Sequence, residues 1–351
     1  MSATAVAGLV ATVRNVELRG VVSAVPSTVV GNAHFEQRFG KDEVANVVKM
    51  IGVEQRRRVK PGQTTVDLAV HAARALMADV GWNAQDIGLV MLVTQTPDYA
   101  LPSSACVVHG ILGLGPSCAS FDVNLGCSGY VYALWLAGQL MQSGSIGRAL
   151  VLVGDTAYYA DEKDRSTALL FGDAVSATAL EWTPGAPAWQ FVLGSDGSGA
   201  RNLVVPKSGT RQEVPTDERM AGRDPEKLFM DGGEIFNFTL RAVPMLGDAL
   251  FAAARGSPED FDAYLFHQAN AFMLKHLIKK MRLPVDRVPL NISRYGNTSS
   301  ASIPLLMSDD LAERLLSAPA RLAMFGFGVG YSWGAADIRC GPLASARVVE
   351  L

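Results

Sequence analysis

Short apolar runs of strand length recur along this chain, and several are apolar at consecutive rather than alternate positions. They are IGLVMLVTQ (87–95), ASFDVNL (119–125), RALVLVG (148–154), DAYLFH (262–267), RVPLNIS (287–293) and RLAMFGFG (321–328). A strand that is apolar on both faces has to be covered on both faces, and helices are the usual cover. Segments with helical spacing stand between these runs, at 65–81, 103–115, 128–144, 234–255, 271–281 and 299–316. The alternation predicts an α/β fold.

The order of elements repeats. Run 87–95 leads to helix 103–115, run 119–125 to helix 128–144, and run 148–154 to FGDAVSATALEW. Run 262–267 then leads to helix 271–281, run 287–293 to helix 299–316, and run 321–328 to GYSWGAADI. The Pro/Gly-containing joint EWTPGAPAWQ (181–190) predicts two halves, 1–185 and 186–351. In this layout Cys127 and Asn297 hold matching places, each after a corresponding strand and before a helix. The polar stretch 206–227 reads as a surface excursion over an entrance.

Nearly half of the 351 residues are apolar and the net charge is −3, which describes a folded chain with a large core and no global basic field for nucleic acid. The four cysteines (Cys106, Cys118, Cys127, Cys340) are too few for a disulfide scaffold, and none stands at zinc-ligand spacing. Reduced thiols in a cytoplasm are the simplest expectation. The N-terminal MSATAVAGLVATVRNVELRG lacks the basic region of a leader, and no run approaches the roughly 18 uncharged apolar residues of a membrane span.

Few residues are placed for chemistry. In NLGCSGYVYAL (124–134), Cys127 stands between Gly126 and Gly129 at the mouth of a helix, where unpaired N–H groups favour a thiolate. A packed structural cysteine is the other reading of that residue. His267 in LFHQAN (265–270) ends an apolar strand, where α/β sites gather. It is either a proton-handling imidazole or one satisfied by the backbone. His34, His71, His109 and His276 fall within helical patterns. Asn297 in RYGNTSSAS (294–302) is either a cap or an uncharged donor for an oxyanion. The glycines of GFGVGYSWGA (326–335) leave backbone N–H groups that complete an oxyanion hole with that of Cys127. No acidic-ended βαβ unit follows them, so a dinucleotide site is rejected.

These stretches, with TQTPDYALPSSAC (94–106), ALLFGDAVSATAL (168–180) and MDGGEIFNFTLRAVP (230–244), resemble the β-ketoacyl-acyl-carrier-protein synthase III family of the thiolase superfamily. The resemblance runs from about Val16 to Ile338. It implies a five-layered αβαβα sandwich of two duplicated halves, in a homodimer, with no cofactor beyond its substrates. Cys127 matches the family's acylated nucleophile, and His267 and Asn297 the pair that stabilises the enolate of a malonyl thioester. The backbone N–H groups of Cys127 and Val329 match its oxyanion hole, and Leu101 a position that closes the partner subunit's acyl pocket. The implied partners are acyl-CoA, malonyl-CoA or malonyl-acyl-carrier protein, and acyl carrier protein, with no nucleic acid or membrane. Acyl transfer to an oxygen or nitrogen acceptor, or a non-catalytic partner subunit, are the alternatives. Phe272 stands where the family often has an arginine associated with carrier protein and CoA phosphates, and Glu54 stands near another frequent arginine. Arg56, Arg57 and Arg58, together with Asn270, Lys275, Lys279 and Lys280, are the substitutes expected for docking CoA or the carrier protein. A solvated face is the other reading of these charges.

Overall fold

A computed structural model describes residues 8–211 and 217–351. Residues 1–7 of the N-terminal stretch and 212–216 of the polar excursion lie outside the described residues. The apolar runs become neighbouring strands in two sheets. The first has six strands in the spatial order Ser345–Glu350, Val16–Val25, Ala174–Trp182, Arg148–Asp155, Leu89–Val93, Ala119–Val123. The second has five: Leu9–Val13, Trp189–Ser195, Ser332–Cys340, Ala320–Gly328, Ala263–Phe266. Leu89–Val93 runs parallel to Arg148–Asp155, which pairs antiparallel with Ala174–Trp182. Ala263–Phe266, Ala320–Gly328 and Ser332–Cys340 repeat that arrangement in the second sheet.

Two strands cross between the halves. Leu9–Val13 pairs with Trp189–Ser195 in the second sheet, and Ser345–Glu350 pairs with Val16–Val25 in the first. A cut at 185/186 therefore separates the sheets only after their terminal strands are exchanged.

Five layers follow from the burial. Helices Thr65–Val80 and Ser104–Leu112 cover the outer face of the first sheet. Gly232–Ala253 and Ala271–Met281 cover the outer face of the second. Gly129–Met141 and Ser302–Ser308 lie between the sheets, where Leu89, Met91 and Val93 of one share a core with Phe191, Leu322 and Met324 of the other. Helix starts are set by side chains. Thr64 and Asp67 form a reciprocal capping box at Thr65–Val80. Asp122, a carboxylate within a strand, accepts from the N–H groups of Ser104 (2.6 Å) and Ala105 (2.7 Å) at the start of Ser104–Leu112.

Two expected elements differ. Residues 287–293 form no strand: Pro289 has no N–H for a ladder, and the chain turns into the short helix Ile292–Tyr295. Helix 299–316 is broken into Ser302–Ser308 and Ala312–Ser317, with Asp309 and Asp310 at the break held by Arg294.

The arginine run expected to dock an anion is engaged by groups of the fold itself. Residues Gln55–Arg58 pair with Thr28–Gly31 as a two-stranded ribbon. Arg56 is 0% exposed and donates to the carbonyls of Val30 (3.1 Å) and Leu169 (2.7 Å) and to Asn32 Oδ1 (2.8 Å), over the ring of Phe35. Arg57 donates to the carbonyl of Pro26 and pairs with Glu350 at 2.9 Å. Arg58 pairs with buried Asp173 at 3.5 Å. Arg56, Arg57 and Arg58 are thus structural ties, because a long cation inside the fold is held by carbonyls and carboxylates rather than by a partner's anions. Replacing Arg56 by Leu strands three acceptors, so Arg56→Leu is expected to lower unfolding free energy by about 2–4 kcal/mol in urea titration. An unchanged midpoint would contradict this role.

Candidate active site

The loop after Ala119–Val123 carries Cys127 two residues ahead of helix Gly129–Met141. The loop after Ala320–Gly328 folds against it. A Cβ on Gly328 would stand 2.9 Å from Cys127 Sγ, and one on Gly326 2.8 Å from Ser128 Cα, so only glycines allow this approach. The backbone N–H groups of Val329 and Cys127 and the Ser299 hydroxyl are the polar groups around the sulfur. They favour its anion, but burial outweighs them, with the charge of Asp155 as a second cause, and the thiol is pushed up to about 12. The lowered thiol expected at a helix mouth is therefore not what the site holds. Near pH 7 Cys127 rests as a thiol.

His267 follows Ala263–Phe266 directly, and its N–H donates to the carbonyl of Phe325 at 2.8 Å. Burial lowers the imidazole to about 4, so the ring is neutral near pH 7. Ser302 Oγ stands 2.8 Å from His267 Nδ1 and donates to the Ser299 carbonyl at 2.9 Å. Turning that one hydroxyl proton onto Nδ1 instead places the ring proton on Nε2.

Asn297 is pinned by its backbone. It receives from Gly172 N–H (3.0 Å) and donates to the carbonyl of Leu170 (2.9 Å). Its Oδ1 accepts from Ser299 N–H at 2.9 Å, which fixes the amide orientation. Among the described residues Nδ2 has no hydrogen-bond partner, so it is the donor the turn presents. Gly296, at φ +70° and with the Leu170 carbonyl where a side chain would be, and Ser299, at φ +53°, make the sharp turn on which this depends.

Cys127, His267 and Asn297 all line one cavity of about 560 Å³. Its walls are mostly apolar, with Leu170, Phe327 and Met273 among them. Val47, Met50, Phe236 and Phe272 also line it. Phe272 is 43% exposed and its ring stacks on Phe236 at 5.7 Å. Asn270 lines the cavity too, but its side chain caps helix Ala271–Met281 by accepting from Met273 N–H at 2.8 Å. Lys275, Lys279 and Lys280 lie exposed on that helix, and Lys280 borders a surface cleft with Arg241. Glu54 is exposed as well. Leu101 lines no part of the cavity and is 83% exposed. Among the described residues no group of three His, Cys, Asp or Glu side chains is placed to hold a metal ion.

Three polar residues of this neighbourhood had no part in the sequence reading. Ser299 and Ser302 lay inside an expected helix. Asp155 ends the apolar strand Arg148–Asp155. The signal that singled out His267, a polar residue closing an apolar strand, was present there as well.

The chain matches known proteins over nearly its full length. Residues 121–197 match the family described as 3-Oxoacyl-[acyl-carrier-protein (ACP)] synthase III, and residues 251–340 match its C-terminal part. The beta-ketoacyl-[acyl-carrier-protein] synthase III of Gloeobacter violaceus is 34% identical over 331 residues, 93% of this chain and 99% of that one. The beta-ketoacyl-[acyl-carrier-protein] synthase III 2 of Streptomyces coelicolor is 36% identical over 91% of this chain and 92% of that one. The crystal structure of a 3-oxoacyl-(acyl-carrier protein) synthase from Burkholderia xenovorans superposes with a TM-score of 0.96 at 50% identity, covering 98% of this chain and 99% of that one. With that sandwich and that cavity, the chain belongs to the β-ketoacyl-acyl-carrier-protein synthase III family of the thiolase superfamily.

Proposed function

We propose that this condensing enzyme works through Cys127, His267 and Asn297 in two half-reactions. The observation that carries this assignment is their meeting in one apolar cavity, with an oriented amide donor and the glycine loop of Gly328 against the sulfur. In the first half-reaction Cys127 Sγ attacks the thioester carbonyl of an acyl-CoA. The negative oxygen that develops is held by the N–H groups of Cys127 and Val329, and CoA departs. In the second, a malonyl thioester loses CO2. Its enolate oxygen is held by Asn297 Nδ2 and by His267 Nε2, which carries the ring proton once the Ser302 hydroxyl turns from the Ser299 carbonyl onto Nδ1, and its carbon attacks the acyl group on Cys127 to give a β-ketoacyl thioester. Neutral donors suit this step: they stabilise charge as it forms without protonating the enolate before it reacts. This set supports carbon–carbon bond formation over transfer to oxygen or nitrogen, and a nucleophile kept in place speaks against a non-catalytic subunit.

The remaining assignments belong to the same proposal. The protein is a cytoplasmic homodimer, the exposed Leu101 enters the partner subunit's acyl pocket, and no cofactor takes part. The malonyl group arrives on an acyl carrier protein or on CoA. The acidic carrier protein meets Lys275, Lys279 and Lys280, next to Arg241, rather than the arginine run.

Single-turnover experiments separate the two steps. His267→Ala and Asn297→Ala are expected to slow condensation of a preformed acyl-enzyme by at least about 10²-fold while changing acylation by less than about tenfold. Equal losses in both would remove the enolate role. The wild-type condensation rate is expected to stay level as pH falls through 6.5, because the ring takes its proton only near pH 4. A fall with its midpoint near 6.5 would contradict a buried neutral histidine. Reversing two charges, Lys279→Glu with Lys280→Glu, is expected to weaken carrier-protein binding about tenfold or more at low salt, with the difference shrinking as salt rises. Equal affinities at all salt concentrations would leave that helix face as solvated surface.

A further inference from the structure

The long helix Gly232–Ala253 lays one face along the cavity. Gly232, Ile235, Phe236 and Thr239 all line it, at the spacing of a single helical stripe. Thr239 is 0% exposed, and its Oγ1 has no hydrogen-bond partner among the described residues. A helical threonine ordinarily turns its hydroxyl to a carbonyl three or four residues back, and this one does not. The other hydroxyl on the cavity wall, that of Ser166, is engaged by Asp164 at 2.7 Å. Along the Thr239 stripe, Ile235 and Phe236 offer only carbon. Leaving a hydroxyl buried and unbonded is costly, so its place on this wall calls for a partner that the protein itself does not supply. Depth does not put it out of a substrate's reach. His267 lines the same cavity at 1% exposure and meets the substrate in the proposed mechanism.

The thioesters of that mechanism, whether on CoA or on a carrier protein, reach Cys127 on the same kind of arm. It is a narrow chain with secondary amides behind the sulfur. An amide drawn from water into an apolar passage is destabilised unless it finds a partner there. A threonine hydroxyl suits either end of an amide, donating to its carbonyl or accepting from its N–H.

We propose that Thr239 Oγ1 hydrogen-bonds an amide of the thioester arm and thereby sets the donor's carbonyl at Cys127. The bond satisfies two groups at once. The hydroxyl, unpartnered within the protein, gains an acceptor or donor, and the amide recovers a bond it gave up with water. A donor without the amide gains nothing from Thr239, so the residue distinguishes arm-bearing thioesters from simple ones. The proposal rests on the acylation of Cys127 proposed above and concerns how the acyl donor is recognised.

Thr239→Val keeps the shape of the side chain and removes the hydroxyl. Two donors separate recognition of the arm from chemistry at the thioester: acetyl-CoA, which carries the arm, and S-ethyl thioacetate, which has the thioester and no amide. The readout is the second-order rate at which acetyl mass appears on intact protein. Thr239→Val is expected to react about tenfold more slowly than wild type with acetyl-CoA and within about twofold of it with S-ethyl thioacetate. Thr239→Ser, which restores a hydroxyl, is expected to recover the wild-type ratio between the donors. The urea midpoint of Thr239→Val is expected not to fall, because a hydroxyl with no partner inside the protein leaves no bond broken. A wild-type rate with acetyl-CoA in Thr239→Val overturns the proposal. So does an equal loss with both donors, or a loss accompanied by a lower urea midpoint, which is what a structural hydroxyl gives. Absence of acetyl mass on wild-type Cys127 with either donor would instead remove the nucleophile assignment on which the proposal rests.

Discussion

The chemistry of this protein depends on a close approach between two loops that leave different sheets. Gly326 and Gly328, at the end of a strand in the second sheet, lie against Cys127 and Ser128, which follow a strand of the first. Any side chain there would push the loops apart and take the Val329 N–H away from the sulfur. The approach is held from below by the two central helices, whose apolar residues fill the space between the sheets. Reactive groups at the top of so dense a layer cannot drift, which is the preorganisation that oxyanion and enolate stabilisation require.

The same enclosure sets the protonation of the site. Burial raises the thiol of Cys127, raises the carboxyl of Asp155 and lowers the imidazole of His267. All three shifts favour the uncharged forms, as removal from water does. The backbone N–H groups of Val329 and Cys127 and the Ser299 hydroxyl act on Cys127 in the opposite sense and are outweighed. In the proposed mechanism a proton therefore moves when the substrate arrives, and His267 and Asn297 act as neutral donors.

Much of this was legible in the chain. The doubled apolar runs gave the two sheets, and the repeated element order placed Cys127 and Asn297 at corresponding points ahead of the two central helices. What was lost has physical causes. Pro289 ends a run whose composition otherwise resembles a strand. The exchange of Leu9–Val13 and Ser345–Glu350 between sheets is a long-range pairing with no local signal. Arg56, Arg57 and Arg58 look like an anion site in sequence, because only the fold reveals the carbonyls and carboxylates that occupy them. Ser302 shows the converse: an ordinary helix residue in sequence, it places its hydroxyl 2.8 Å from His267 Nδ1 once the chain is folded.

The central claim is that acyl groups pass through Cys127 and no other thiol. Incubating the protein with a panel of acyl-CoAs, digesting it, and reading the mass of each cysteine peptide before and after adding a malonyl thioester tests it directly. The account predicts one acyl increment, on the Cys127 peptide, which disappears as the malonyl thioester is consumed and CO2 is released. An increment on the peptides of Cys106, Cys118 or Cys340, or one on Cys127 that survives the malonyl thioester, would contradict it.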